Sequence, residues 1–301
     1  MKNNFSSVSN LLLIIDRKLP HVTDDKHNEF FNKNSLYLIE DNILIPINVR
    51  TFNNCISLER TNMPEVIKQD ILKRTNKKER EYIKNTILTI NTQLNVNILI
   101  NSPGGAVAPL HSILSILKYI REKGGEINSF SFIEVMSAAS IIFSHSDKRY
   151  CLKLSEFMVH SGSINLSTKE FRKAAADRTD YEIELGKQMD IDDHKKYLTD
   201  FFAKHNSTSK KTIDILIAKA IEKPECDLYM SGYNLESWGI VDKAYHDFDK
   251  YLALIEKKIG KEVLKDKRIK LFLKKMDKNY FPVLLKNLFK MQKYPGFACP
   301  Q

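Results

Sequence analysis

Between residues 96 and 140 the chain twice runs from an apolar strand through small residues into a helix. These two junctions constrain the fold more than any other feature. Residues 96–100 form a short aliphatic run that ends at Asn101-Ser102-Pro103-Gly104-Gly105. Leu110, Ile113, Leu114, Leu117 and Ile120 then recur with the 3.6-residue period of an amphipathic helix. Gly124-Gly125 close that helix, residues 127–133 read as the next strand, and Ser137-Ala138-Ala139-Ser140 opens a second helix. Strands alternating with helices in this way define an α/β chain.

The flanks are read from the same signals. Residues 1 to about 38 are rich in Asn, Ser and charged residues without a sustained period, and are expected to form an irregular N-terminal arm. Residues 36–39 and 43–49 look like strands, and 64–94 is helix-rich with a break near 75–78. Short strands are expected at 150–152 and 157–160. Ser167 with Glu170 three residues on is a capping box for a long helix reaching about residue 204. A helix over 210–221 and a strand near 240–245 complete a main domain of residues 39–247.

Charge sets the C-terminus apart. The formal net charge is +10, yet residues 251–301 hold thirteen Lys/Arg against four acidic residues, so residues 1–250 carry only +1. Leu252, Ile255, Ile259, Val263 and Leu271 are interleaved with those lysines at roughly helical spacing. Residues 248–301 are therefore expected to be a basic, amphipathic helical tail, its lysines a solvated face on packed helices rather than a nucleic-acid interface. No aliphatic run approaches the roughly 20 residues of a membrane helix, and no signal peptide is recognised. Cys55, Cys151, Cys226 and Cys299 have neither metal-ligand nor CxxC spacing. These features predict a cytoplasmic protein with no metal and no cofactor.

Several residues have the types that chemistry requires. A Gly pair between strand and helix turns backbone N–H groups toward open space beside a helix N-terminus, which suits an oxyanion. Nothing supports a phosphate loop, because neither GxGxxG nor a following GK[ST] is present. Ser137, at a strand end and helix start, is where a nucleophile would be presented, although a single Ser at a helix start is ordinarily an N-cap. His160 ends the apolar run Phe157-Met158-Val159, and Asp227 lies between Cys226 and Leu228.

In order, the Asn-Ser-Pro-Gly-Gly run, the Ser in a small-residue turn, the Met-Val-His, the Asp before Tyr229-Met230-Ser231 and the Gly239-Ile240-Val241-Asp242 ending resemble the Clp protease proteolytic subunit family. The resemblance runs from about residue 40 to 247 and is strongest between 97 and 162. It implies a ClpP/crotonase-type spiral of ββα units with a long protruding helix around 167–204. It also implies a serine endopeptidase with Ser137 as nucleophile, His160 as general base and acid, and Asp227 orienting the imidazole. Gly105 and Ala138 would supply the oxyanion-hole N–H groups. Gly104, Ala106 and Val107 on one side, and Ser161 and Gly162 on the other, would bind an extended peptide.

Ser140 is the rival nucleophile, because Ala138-Ala139-Ser140 copies the family's Ala-Ala-Ser. The spacing of twenty-three residues to His160 favours Ser137. Three positions depart from the family pattern: Ile133-Glu134 lack the Gly before the nucleophile turn, no Pro follows His160-Ser161, and Asn234 replaces a common acid. The partners the resemblance implies are peptide or unfolded protein substrate, further copies of the chain in a ring, and an AAA+ unfoldase that would carry the ATP requirement. Two alternatives stand beside the peptidase: a noncatalytic ring subunit or scaffold, and a crotonase-type acyl-CoA enzyme.

Overall fold

A computed structural model describes residues 10–16, 36–40, 42–59, 64–74, 77–83, 94–160 and 228–278, with 199, 214 and 215. The expected long helix over 167–204, most of the 210–221 helix, Ser161, Gly162 and Asp227 lie outside the described residues, as do 279–301.

Among the described residues nine strands form one mixed sheet. They are β1 (Asn10–Ile15), β2 (Leu36–Glu40), β3 (Ile43–Ile47), β4 (Asn95–Ser102), β5 (Ile127–Met136), β6 (Lys148–Leu152), β7 (Glu156–Val159), β8 (Leu228–Ser231) and β9 (Lys243–Tyr245). The main path runs β3-β2-β1-β4-β5-β6-β9, and β7 joins β5 with β8 outside it. β1, β4, β5, β6 and β9 are mutually parallel, whereas β2 and β3 form an antiparallel hairpin on β1. Parallel neighbours need helical crossovers. Here α4 (Val107–Glu122) joins β4 to β5, and α5 (Ala138–Ser144) joins β5 to β6. Before them come α1 (Val49–Glu59), α2 (Glu65–Arg74) and α3 (Lys77–Ile83).

Side chains alternate across the sheet. Leu11, Leu13, Ile15, Val96, Ile98 and Ile100 face a core completed by α1, α4 and α5. Leu12, Leu99, Phe130 and Phe132 face a second core. α6 (Gly232–Ser237) adds Leu235 to the first core, and the cover of the second is the C-terminal segment, comprising α7 (Phe248–Ile259), a 3-10 turn (Val263–Lys265) and α8 through 267–278. Tyr251, Ile255, Ile259, Val263, Ile269, Phe272 and Met276 are buried there.

Two expectations are corrected by this arrangement. The segment read as an irregular arm contains β1, a central strand between β2 and β4. Its run Leu11-Leu12-Leu13-Ile14-Ile15 is covered on both faces, which removes the polar alternation by which strands are recognised. Residues 248–278 are not an appendage: they are the layer that covers one face of the sheet, with their lysines outward. Among the described residues no helix is long and apolar enough to cross a membrane.

Candidate active site

The parallel strands β5 and β7 bring Ser137 and His160 together. Met136 pairs with Met158, and the Ser137 N–H continues the ladder by donating to Met158 O at 2.8 Å. One residue past one strand end and the first past the other thus emerge side by side. Ser137 Oγ lies 2.8 Å from His160 Nε2.

Two features separate Ser137 from an ordinary helix cap. It stands at the N-cap of α5, but its side chain makes no capping hydrogen bond. Its backbone has φ 53° and ψ −126°, a conformation that is costly for a residue with a Cβ. Such strain is of order 1–3 kcal/mol and persists only where surrounding structure enforces it. Here the enforcement comes from the Met158 carbonyl on one side and Gly104 on the other. Gly104 has φ +87°, and a Cβ at that position would lie 2.4 Å from Met136 O, 2.7 Å from Ser137 Cβ and 2.9 Å from Ala138 N. Only glycine permits this approach. The Gly104 N–H is turned inward onto Ser102 Oγ at 3.1 Å, and Ala138 opens α5, where first-turn N–H groups have no partner within the helix.

Ser140 sits differently. It is fully buried, and its hydroxyl proton is shared between Val135 O at 2.9 Å and Met158 O at 2.8 Å. The copied Ala-Ala-Ser thus ends in a side chain that ties α5 to the β5–β7 pair. Asp227 lies outside the described residues, but its chain neighbour Leu228 pairs with Val159, the residue before His160.

Supporting residues escaped the sequence reading. Asn101 Oδ1 accepts from the Ile133 and Glu134 N–H groups at 3.1 and 3.2 Å. Ser155 Oγ donates to Phe132 O, and Tyr251 Oη donates to Ser131 O at 2.9 Å. Arg149, buried behind α5, donates to Ser144 O at 2.5 Å and Ser146 O at 3.3 Å, which satisfies carbonyls at and just past the end of that helix, and to Ile240 O at 3.3 Å ahead of β9. Asn234, the departure at an acidic position, forms a capping box with Ser231: its Oδ1 accepts from Ser231 N at 2.9 Å while its N–H donates to Ser231 Oγ at 3.2 Å. Neighbouring Glu134 has its carboxyl held above the ordinary range, first by burial and then by the facing Glu156 carboxylate. Among the described residues no group of three or more His, Cys, Asp or Glu is arranged to hold a metal.

The model of the Clp protease family matches residues 66–247, more than half of the chain, and that stretch contains the whole Ser137–His160 arrangement. The chain belongs to the Clp protease family. A curated relative, the ATP-dependent Clp protease proteolytic subunit of Paracoccus denitrificans, is 36% identical over 73 residues, or 24% of this chain. The chain spans about a third (35%) of that Clp subunit's length in the match.

Proposed function

We propose that this Clp-family chain is a serine endopeptidase in which Ser137, His160 and Asp227 act as a triad and the Gly105 and Ala138 N–H groups form the oxyanion hole. The observation carrying this reading is the 2.8 Å contact between Ser137 Oγ and His160 Nε2, made by a serine that caps nothing and is held in a strained turn.

Ser137 Oγ attacks the scissile carbonyl carbon while its proton passes to His160 Nε2, which requires the imidazole's other proton on Nδ1, where Asp227 would accept it. Negative charge collects on the carbonyl oxygen, where each hole donor contributes about 3 kcal/mol of transition-state stabilisation. Collapse breaks the C–N bond as His160 returns its proton to the leaving amine. Water, deprotonated by the same His160, then cleaves the Ser137 ester and releases the carboxylate. The peptide lies extended between Gly104, Ala106 and Val107 and the Ser161-Gly162 segment.

The frame for this chemistry is a ClpP/crotonase-type spiral of ββα units, assembled into a homo-oligomeric ring through the helix expected at 167–204. An AAA+ unfoldase would feed unfolded protein to it. Light scattering tests the assembly: a monomer at micromolar concentration refutes the ring.

Labelling with a fluorophosphonate, mapped by mass spectrometry, tests the chemistry. The expected adduct is on Ser137, and Ser137→Ala should abolish both labelling and peptide cleavage with the fold intact. An adduct on Ser140 would reverse the assignment. A folded, assembled protein that takes no label is the noncatalytic scaffold instead.

A further inference from the structure

β5 changes partners midway. Its first half pairs with β6, ending at Ser131 opposite Cys151, and its last residues pair with β7 from Glu134 opposite Glu156. On its other side the register with β4 slips, from Ile100 opposite Ser131 to Ser102 opposite Val135. The strand thus forks between Ser131 and Glu134: Phe132 and Ile133 have no ladder partner on either flank, and Glu134 has one only in β7. Unpaired buried backbone groups are costly and must find other partners.

Three side chains supply them. Tyr251 Oη, on a fully buried ring from α7, reaches Ser131 O at 2.9 Å and Tyr150 O at 3.1 Å, spanning β5 and β6 where they part. Ser155, from the turn before β7, donates to Phe132 O. Asn101, 8% exposed, takes the next two N–H groups, those of Ile133 and Glu134. Four consecutive residues of β5 are therefore held by side chains from three separate parts of the chain. Ser137 follows three residues after the last of them, and a strand has no soft joint over that distance.

We infer that Asn101, Ser155 and Tyr251 form a clamp on the β5 fork that sets the height of Ser137 against His160, making Asn101 and Tyr251 positioning residues for the reaction. The inference rests on the peptidase reading above. It also gives the C-terminal layer a part in the site, through a tyrosine hydroxyl that touches none of the reacting atoms.

Asn101→Ala and Tyr251→Phe each remove hydrogen bonds at the fork and leave the hydrophobic packing almost unchanged. Both should lower kcat for a small peptide ester at least tenfold with KM within twofold. Asn101→Asp, which keeps an acceptor of the same shape, should recover most of the loss. Ile255→Val, which trims the core beneath Tyr251 without touching the fork, is the control and should keep kcat even where it lowers Tm as much. A second readout does not depend on turnover: the His160 imidazole resonances and their pH titration, followed by NMR, should shift in Asn101→Ala and Tyr251→Phe and stay in place in Ile255→Val. Unchanged kcat and unchanged His160 signals in both fork variants overturn the clamp. So does a loss of kcat in Ile255→Val equal to theirs at equal Tm. A wild-type protein that neither labels nor cleaves refutes the peptidase reading instead, and the His160 titration then decides the clamp alone. If Asn101→Ala fails to fold, Tyr251→Phe and Asn101→Asp carry the comparison.

Discussion

Gly104 and Gly124 offer a paired test of how the Ser137 turn is built, because they share a left-handed backbone and differ in what surrounds them. Gly104 has φ +87° and Gly124 has φ +81°. Alanine at either position meets the same conformational penalty, roughly 1–2 kcal/mol. At Gly124 the new methyl meets nothing within 4 Å. Gly124→Ala should therefore cost only that penalty, a fall in Tm of a few degrees by the usual size scaling. At Gly104 the methyl would lie 2.4 Å from Met136 O and 2.9 Å from Ala138 N, about 1 Å inside ordinary contact with backbone on both sides of Ser137. Those atoms cannot rotate away as a flexible side chain would. The turn itself must move, and a displacement of about 1 Å at a reacting group can cost on the order of a hundredfold in rate. Gly104→Ala should thus lower fluorophosphonate labelling at Ser137 by about that factor and reduce Tm well beyond Gly124→Ala, both followed on matched, folded samples. Labelling of Gly104→Ala at the wild-type rate would refute the claim that Gly104 holds the Ser137 turn by close approach.

Ser140→Ala should keep its Ser137 labelling while losing about 1 kcal/mol of stability, the usual net worth of a hydrogen bond, by denaturant titration. Ile255→Ala, at a fully buried α7 position, should destabilise by about 2–5 kcal/mol. Deletion of residues 252–301 should give insoluble or unfolded protein at any salt, since it strips the second face of Ile255, Ile259, Phe272 and Met276; a soluble, folded truncation would contradict the packing described. Glu134→Gln should raise Tm at neutral pH. The folded-state pKa of Glu134 is raised, chiefly by burial, so its stabilising effect is full below the ordinary glutamate pKa and is lost as pH rises through the folded value. The variant should flatten that loss across the weakly acidic range, and an unchanged pH–Tm profile would refute it.

The parts of the fold legible in the sequence are those whose signal is local. β4, α4, β5 and α5 each carry their own period and their own small-residue junctions, so their order could be read without knowing what packs on them. β1 could not be read this way. Four of its five aliphatic residues are buried and Ile14 is half-buried, so both faces are covered, and flanking polar residues made the stretch resemble a patch in an irregular arm. The C-terminal segment shows the opposite case: its amphipathic period is clear in Ile255, Ile259 and Val263, but a period shows only that one face is apolar. Which surface takes that face depends on the uncovered side of a sheet formed some hundred residues earlier.

A similar division runs through the candidate site. Ser137 and His160 stand out in the sequence because each ends a strand, and parallel pairing of those strands is enough to bring them within 2.8 Å. Asn101, Ser155 and Tyr251 have no such signature, because their partners are backbone groups that become orphans only when β5 exchanges β6 for β7. The need for them is created by tertiary structure, so no residue pattern around them can announce it. Asn101 comes nearest, as an amide at a strand end just before Pro103 and the Gly pair, where the motif drew attention to the glycines. Its neighbour Ser102 turns the Gly104 N–H inward while Asn101 fixes the adjoining strand. The run Asn101-Ser102-Pro103-Gly104-Gly105 therefore works as a unit, its first two residues holding the backbone in the arrangement that only the glycine at 104 can then fit.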